Sequence, residues 1–186
     1  MRVCQLKEGN PMMKRLLSLL VATLLALCAV PSIAEDEPIV FDAAAYISSM
    51  SGLDLRPYGG KVIVLHFFTA SGEECRAQLP ALRLIYDDFD KEGVEIVLVH
   101  AWDGEGQPES DEARESFDLE GMRIYEDEGC ALSRQLGITQ YPNTLFLGGD
   151  GNPVSGYGGR LTYETLAYVL SGMGVTQLQN SYLPKE

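Results

Sequence analysis

The sequence predicts an α/β fold, a mixed central β-sheet flanked by helices on both faces. Three observations predict it. Lys61 to Phe68 (KVIVLHFF) and Val94 to His100 (VEIVLVH) are runs of apolar and β-branched residues, the pattern of strands buried on both faces. Between them Cys75, Leu79, Leu82, Ile85 and Phe89 step by three or four residues, so one helix presents one apolar stripe. Further on, Thr144 to Leu147 and Pro153 to Tyr157 flank Gly148-Gly149-Asp150-Gly151-Asn152, which reads as a β-hairpin.

Taken in order, residues 1–34 read as a signal peptide. Lys14 and Arg15 precede the apolar run Leu16 to Val30, and Ser32-Ile33-Ala34 offers small residues at the cleavage positions. That run is short for a spanning helix, and Leu27 before Cys28 speaks against a lipid anchor. A periplasmic or secreted protein, soluble after export, is expected. Residues 35–60 form a lead-in that ends in the turn-rich Arg56-Pro57-Tyr58-Gly59-Gly60. The domain proper is expected over 61–172. Its first helix is predicted from Gly72 to Glu92, kinked at Pro80 and ended by Gly93. Ser110 is placed to cap a helix over Asp111 to Leu119, and a shorter helix runs from Cys130 to Leu136. Thr162 caps a last helix through Leu170, and residues 173–186 read as a loose tail.

Composition narrows the function. At 46% hydrophobic and 22% charged, the 186-residue chain buries a core, which excludes intrinsic disorder. The formal net charge of −13 excludes nucleic acid as a natural partner. Two histidines and four cysteines without close ligand spacing point to no metal and no cofactor. Without residues 1–34 the chain has ten basic and twenty-six acidic residues, and only Cys75 and Cys130 remain. They stand in a compartment that permits disulfides.

Several strings, in order, resemble the thioredoxin superfamily, with the closest likeness to its exported TlpA/ResA-type branch. That family reads strand, Trp-Cys-x-x-Cys, then Arg-x-x-x-Pro within the helix. The matching run here is Phe67-Phe68-Thr69-Ala70-Ser71-Gly72-Glu73-Glu74-Cys75-Arg76-Ala77-Gln78-Leu79-Pro80. Gly137 to Thr144 matches the family's cis-proline loop, placing Pro142 at the cis-proline. The resemblance implies a thioredoxin-like fold and a lineage of thiol–disulfide chemistry. It also implies that Cys75 falls on the second cysteine, that Gly72 takes the place of the attacking one, and that Ser71 replaces the tryptophan. Gly72 carries no sulfur, so a two-thiol cycle between positions 72 and 75 has no first nucleophile.

What remains is open between two classes. One is a single-thiol site acting in redox or envelope-protein maturation, with Cys75 as the reacting group. His66, nine residues earlier, takes the register of the family's buried proton carrier, and a Cys–His pair would favour the thiolate. Against it stand Glu73 and Glu74, whose negative charge opposes thiolate formation, and the apolar stripe on which Cys75 sits. Ser71 and Glu74 alternatively read as a capping box and nothing more. A Cys75–Cys130 disulfide, as staple or relocated redox pair, is a further alternative. The other class is a non-catalytic module that binds an extended peptide or protein at Tyr141, Pro142 and Gly72. A peroxidase is the poorest reading, because the stretch before Cys75 lacks Pro-x-x-x-Thr/Ser-x-x-Cys.

Overall fold

The computed structural model describes residues 42–102, 114–115 and 118–178. The leader and most of the predicted 111–119 helix lie outside them; Arg114 and Glu115 are helical. A five-stranded mixed sheet forms the centre, in the order β3-β2-β1-β4-β5. Its strands are β1 (Val62–Phe68), β2 (Val94–Trp102), β3 (Arg123–Glu128), β4 (Asn143–Leu147) and β5 (Pro153–Gly158). β1 pairs in parallel with β2 and antiparallel with β4, so His66 lies between Leu98 and Thr144.

All seven residues of β1 are buried, which is why its sequence shows no alternation. Val62, Val64 and Phe68 face one core with helix α2 (Glu73–Asp88) and helix α4 (Tyr163–Gly172). Ile63, Leu65 and Phe67 face the other, with helix α1 (Ala43–Ser51) and the short helix α3 (Ala131–Gln135). Burying each of these large side chains contributes about 1.5–3 kcal/mol relative to leaving it in water. Pro80 removes one backbone donor, yet α2 continues through it as a single helix.

Three parts of the expected layout differ. The lead-in contains α1, started by Asp42, whose side chain accepts the Ala45 N–H at 2.9 Å. Strand β3 (RIYEDE) has no apolar run because it is a sheet edge, paired only with β2 and mostly half-exposed. Helix α2 stops at Asp88, four residues early, because the chain there turns to meet the C-terminal segment. Phe89 bridges Gln177, Asp90 N–H donates to Thr176 O at 2.9 Å, and Val175 is buried. Residues 175–178 are therefore docked rather than loose.

A buried carboxylate fastens that segment. Asp88 is 2% exposed and accepts the Tyr163 hydroxyl at 2.6 Å, and Gln177 Nε2 donates to the same hydroxyl oxygen at 2.9 Å. Burial, with Asp88 beside it, pushes the Tyr163 phenol up to about 12. Tyr163→Phe is expected to lower stability by about 1–3 kcal/mol, because it strands a buried acceptor. A thermal melt reads this as about 2–4 °C per kcal/mol. An unchanged melt would show that the clasp carries no stability.

Candidate functional site

The site gathers at the C-terminal ends of β1 and β2. Gly72 is the N-cap of α2, with φ −70° and ψ 124°, and no side chain caps the helix. The capping box expected of Ser71 and Glu74 does not form. The helix begins one residue later than that motif requires, and the Glu74 carboxylate instead lies 3.8 Å from Arg160 Nε on the surface.

Cys75 occupies the first turn and is 1% exposed. Its Sγ accepts the Thr69 N–H at 3.4 Å and lies 3.7 Å from Thr69 Oγ1. A Cβ added at Gly72 would stand 3.1 Å from that sulfur and 2.7 Å from Thr69 Oγ1. Residue 72 thus faces the sulfur directly, and the Thr69 hydroxyl fills the space a side chain there would need.

His66 shares the sheet face of Phe68 but does not hydrogen-bond to Cys75. Its Nδ1 meets Thr144 Oγ1 at 3.0 Å, and its Nε2 is buried without a partner. Burial drives the imidazole pKa down to about 3, so the ring is neutral at physiological pH. A neutral ring offers no positive charge to hold a thiolate. His100 is buried with Nδ1 2.7 Å from Glu126 Oε2, linking β2 to β3.

Cys130 is the N-cap of α3, in the left-handed region at φ 52°. Its N–H donates to Trp102 O at 3.1 Å, and its thiol approaches the same oxygen at 3.5 Å. Both thiols are free, and the two sulfurs turn to different partners, Thr69 and Trp102. Cys130 is half-buried, so iodoacetamide is expected to label it in the folded protein and to leave Cys75 unlabelled. Equal labelling of the two by mass mapping would contradict the sealed sulfur.

The Tyr141–Pro142 bond is cis. Continuing the β1–β4 register brings Pro142 level with Phe68, one residue before Thr69. The Pro142 carbonyl accepts the Gly159 N–H at 2.8 Å, which ties the loop after β5 to this turn. Among the described residues, neither the N–H nor the C=O of Tyr141 has a backbone partner. A groove of about 310 Å³ lies alongside, with Ile138, Thr139, Gln140, Asn143, Gly156 and Gly158 among its lining. Gly72, Cys75, Tyr141 and Pro142 do not line it. A second cavity, of about 230 Å³ between Asp42, Arg56 and Asp150, lies at the opposite end of β1.

Sequence reasoning missed Thr69, Thr144 and Asp127. Thr69 had a signal, a hydroxyl directly after a buried strand and before a helix. Asp127 and Thr144 become visible only when the strands are paired.

Fold and site together define a thioredoxin-like domain whose turn carries one cysteine, sealed inward. The chain belongs to the AhpC/TSA family, whose family model matches residues 47–153. It is 28% identical over 114 residues to the thiol-disulfide oxidoreductase ResA of Halalkalibacterium halodurans, covering 60% of this chain and 62% of that protein. It is 25% identical over 118 residues to the ResA of Bacillus thuringiensis subsp. konkukian, covering 61% and 64%. The chain thus spans less than two thirds of these relatives. Among solved structures, StoA from Bacillus subtilis matches with TM-score 0.51 and 23% identity over 59% of this chain and 81% of that one. MTB DsbF matches with TM-score 0.54 and 21% identity over 61% and 81%. These two likenesses establish the fold, and the ResA relatives place the chain beside thiol–disulfide oxidoreductases.

Proposed function

We propose that this protein is an exported thioredoxin-like binding module that holds an extended peptide or protein segment at the Tyr141–Pro142 loop and performs no two-thiol exchange. The observation that carries the proposal is the contrast between a sealed sulfur and an open backbone. Cys75 is 1% exposed and its sulfur accepts the Thr69 N–H, whereas among the described residues the N–H and C=O of Tyr141 have no backbone partner. An extended segment laid along Tyr141 would pair with those groups as an added strand, and main-chain hydrogen bonds would supply the affinity. Export rests on the leader pattern of residues 1–34.

The test uses reduced, carboxymethylated insulin B chain as an extended probe and intact insulin as a disulfide substrate. Saturable binding, read from the emission of the single tryptophan Trp102, with no insulin reduction above the dithiothreitol background, is the expected result. Reduction of insulin by the wild-type protein that is lost in Cys75→Ser would overturn the proposal in favour of a single-thiol site. A Cys75–Cys130 peptide in non-reducing mass mapping would overturn it in favour of a relocated redox pair.

A further inference from the structure

Asp127 is a carboxylate almost wholly withdrawn from water, at 1% exposure, near the end of an otherwise half-exposed edge strand. A buried charge of this kind is costly unless every lone pair is engaged. Here its Oδ1 accepts the Leu132 N–H at 2.7 Å, and its Oδ2 accepts the Ser133 N–H at 2.9 Å and the Ser133 hydroxyl at 2.6 Å. The start of α3 is thus held from outside the helix. Ser133 in turn accepts the Ile138 N–H on its carbonyl at 2.8 Å, and Ile138 opens the segment that runs through Thr139 and Gln140 to Tyr141. Ile138, Thr139 and Gln140 also line the groove. The phenol of Tyr141 sits against the same group: burial pushes its pKa up, and Ser133 and Cys130 are the side chains it meets.

We infer that Asp127 is the positioning residue of the Tyr141–Pro142 recognition loop, acting through Ser133 to fix the segment 138–142 in the geometry that an extended ligand would meet. The inference rests on the binding function proposed above and adds the residue that sets the loop. The loop itself carries no charge between Gly137 and Thr144, so its placement depends on what lies beneath it. Asp127 grips Leu132 and Ser133 simultaneously, by three hydrogen bonds. Charge-assisted hydrogen bonds are about twice as strong as neutral ones, so asparagine at this position, acceptor on one atom only, cannot replace the carboxylate.

The test compares Asp127→Asn with Ser133→Ala, their double variant, and Asp88→Asn as a control. Asp88 is similarly buried and engaged in one strong bond, but it clasps the C-terminal segment far from the loop. Asp127→Asn is expected to weaken carboxymethylated insulin B-chain binding about tenfold or more, as loss of a charge-assisted contact implies. The double variant should bind no worse than Asp127→Asn alone, because the two residues act in series. Asp88→Asn should lower the melting temperature while leaving binding intact. A second readout needs no ligand: the iodoacetamide labelling rate of Cys130, which abuts Tyr141, should rise in Asp127→Asn and stay unchanged in Asp88→Asn. Wild-type labelling of Cys130 in Asp127→Asn would overturn the inference, whether or not the B chain binds. So would B-chain affinity in Asp127→Asn equal to that of a wild type that binds it. Failure of the wild type to bind, with Cys130 labelling raised in Asp127→Asn, would instead sink the binding function and leave the positioning role standing.

Discussion

Gly72→Cys is expected to form a disulfide between positions 72 and 75 and to exchange it with insulin. The geometry is already in place. The S–S length and ordinary bond angles of any disulfide set each Cβ about 3 Å from the far sulfur, and a Cβ at residue 72 would stand 3.1 Å from Cys75 Sγ. The same Cβ lies 3.4 Å from Cys75 Cβ, close to the short end of the disulfide range of about 3.5–4.5 Å. At the N-cap of a sixteen-residue helix, the new thiol would face orphan N–H groups that favour its thiolate, opposed by Glu73 and Glu74. An insulin reduction rate at least about tenfold above the wild-type background is expected from restoring attack and resolution in one turn. One obstacle is local: Thr69 Oγ1 stands 2.7 Å from the added Cβ and must rotate away. Gly72→Cys with Thr69→Ala removes that obstacle and keeps the test decisive. If both folded variants show neither exchange nor a 72–75 bridge by mass mapping, the turn does not present residue 72 to the sulfur.

How far the sequence discloses this arrangement depends on which interactions are local. Both buried strands and the stripe of α2 are legible because two-sided or one-sided burial writes itself into neighbouring residues. The turn at Gly72 is legible through the motif around it. Strand β3 is not, since RIYEDE becomes a strand only by pairing with β2, and an edge strand tolerates Arg123, Glu126 and Glu128 toward water. Helix α1 escaped notice for a different reason: Asp42 starts it, but Ala43, Ala44 and Ile47 look like lead-in until the sheet they cover is known. At the site, the nine-residue spacing of His66 and Cys75 suggested a pair, yet spacing does not say where a ring points. Thr144, on a strand seventy-eight residues away, takes Nδ1 and leaves Cys75 to Thr69. Asp127 follows the same rule, being a surface-looking acid whose partners lie in the next helix.

The second large effect concerns His66 and acid. Its folded pKa, lowered to about 3 by burial, sits well below the unfolded value near 6.5, so the unfolded chain takes up a proton that the native state refuses. Native stability from the neutral ring is therefore complete above about pH 6.5 and is lost as pH falls from there toward 3, at about 1.4 kcal/mol per pH unit. Over the whole window that is on the order of 4–5 kcal/mol, a large part of a small domain's stability. His66→Leu removes the titration but leaves Thr144 Oγ1 buried without its partner, at a cost of about 1–3 kcal/mol at neutral pH. The wild type should thus be the more stable protein at pH 7 and the less stable one below about pH 5, where its accumulated loss exceeds that cost. His66→Leu with Thr144→Val takes away both members of the hydrogen bond, and should cross at a higher pH because no acceptor is stranded. Urea melts between pH 7.5 and 4 read the difference directly, and His100, present in all three proteins, cancels. Wild-type and variant curves that stay parallel through this window would mean that the folded ring takes up its proton as readily as the unfolded chain, and burial would then not be what keeps it neutral.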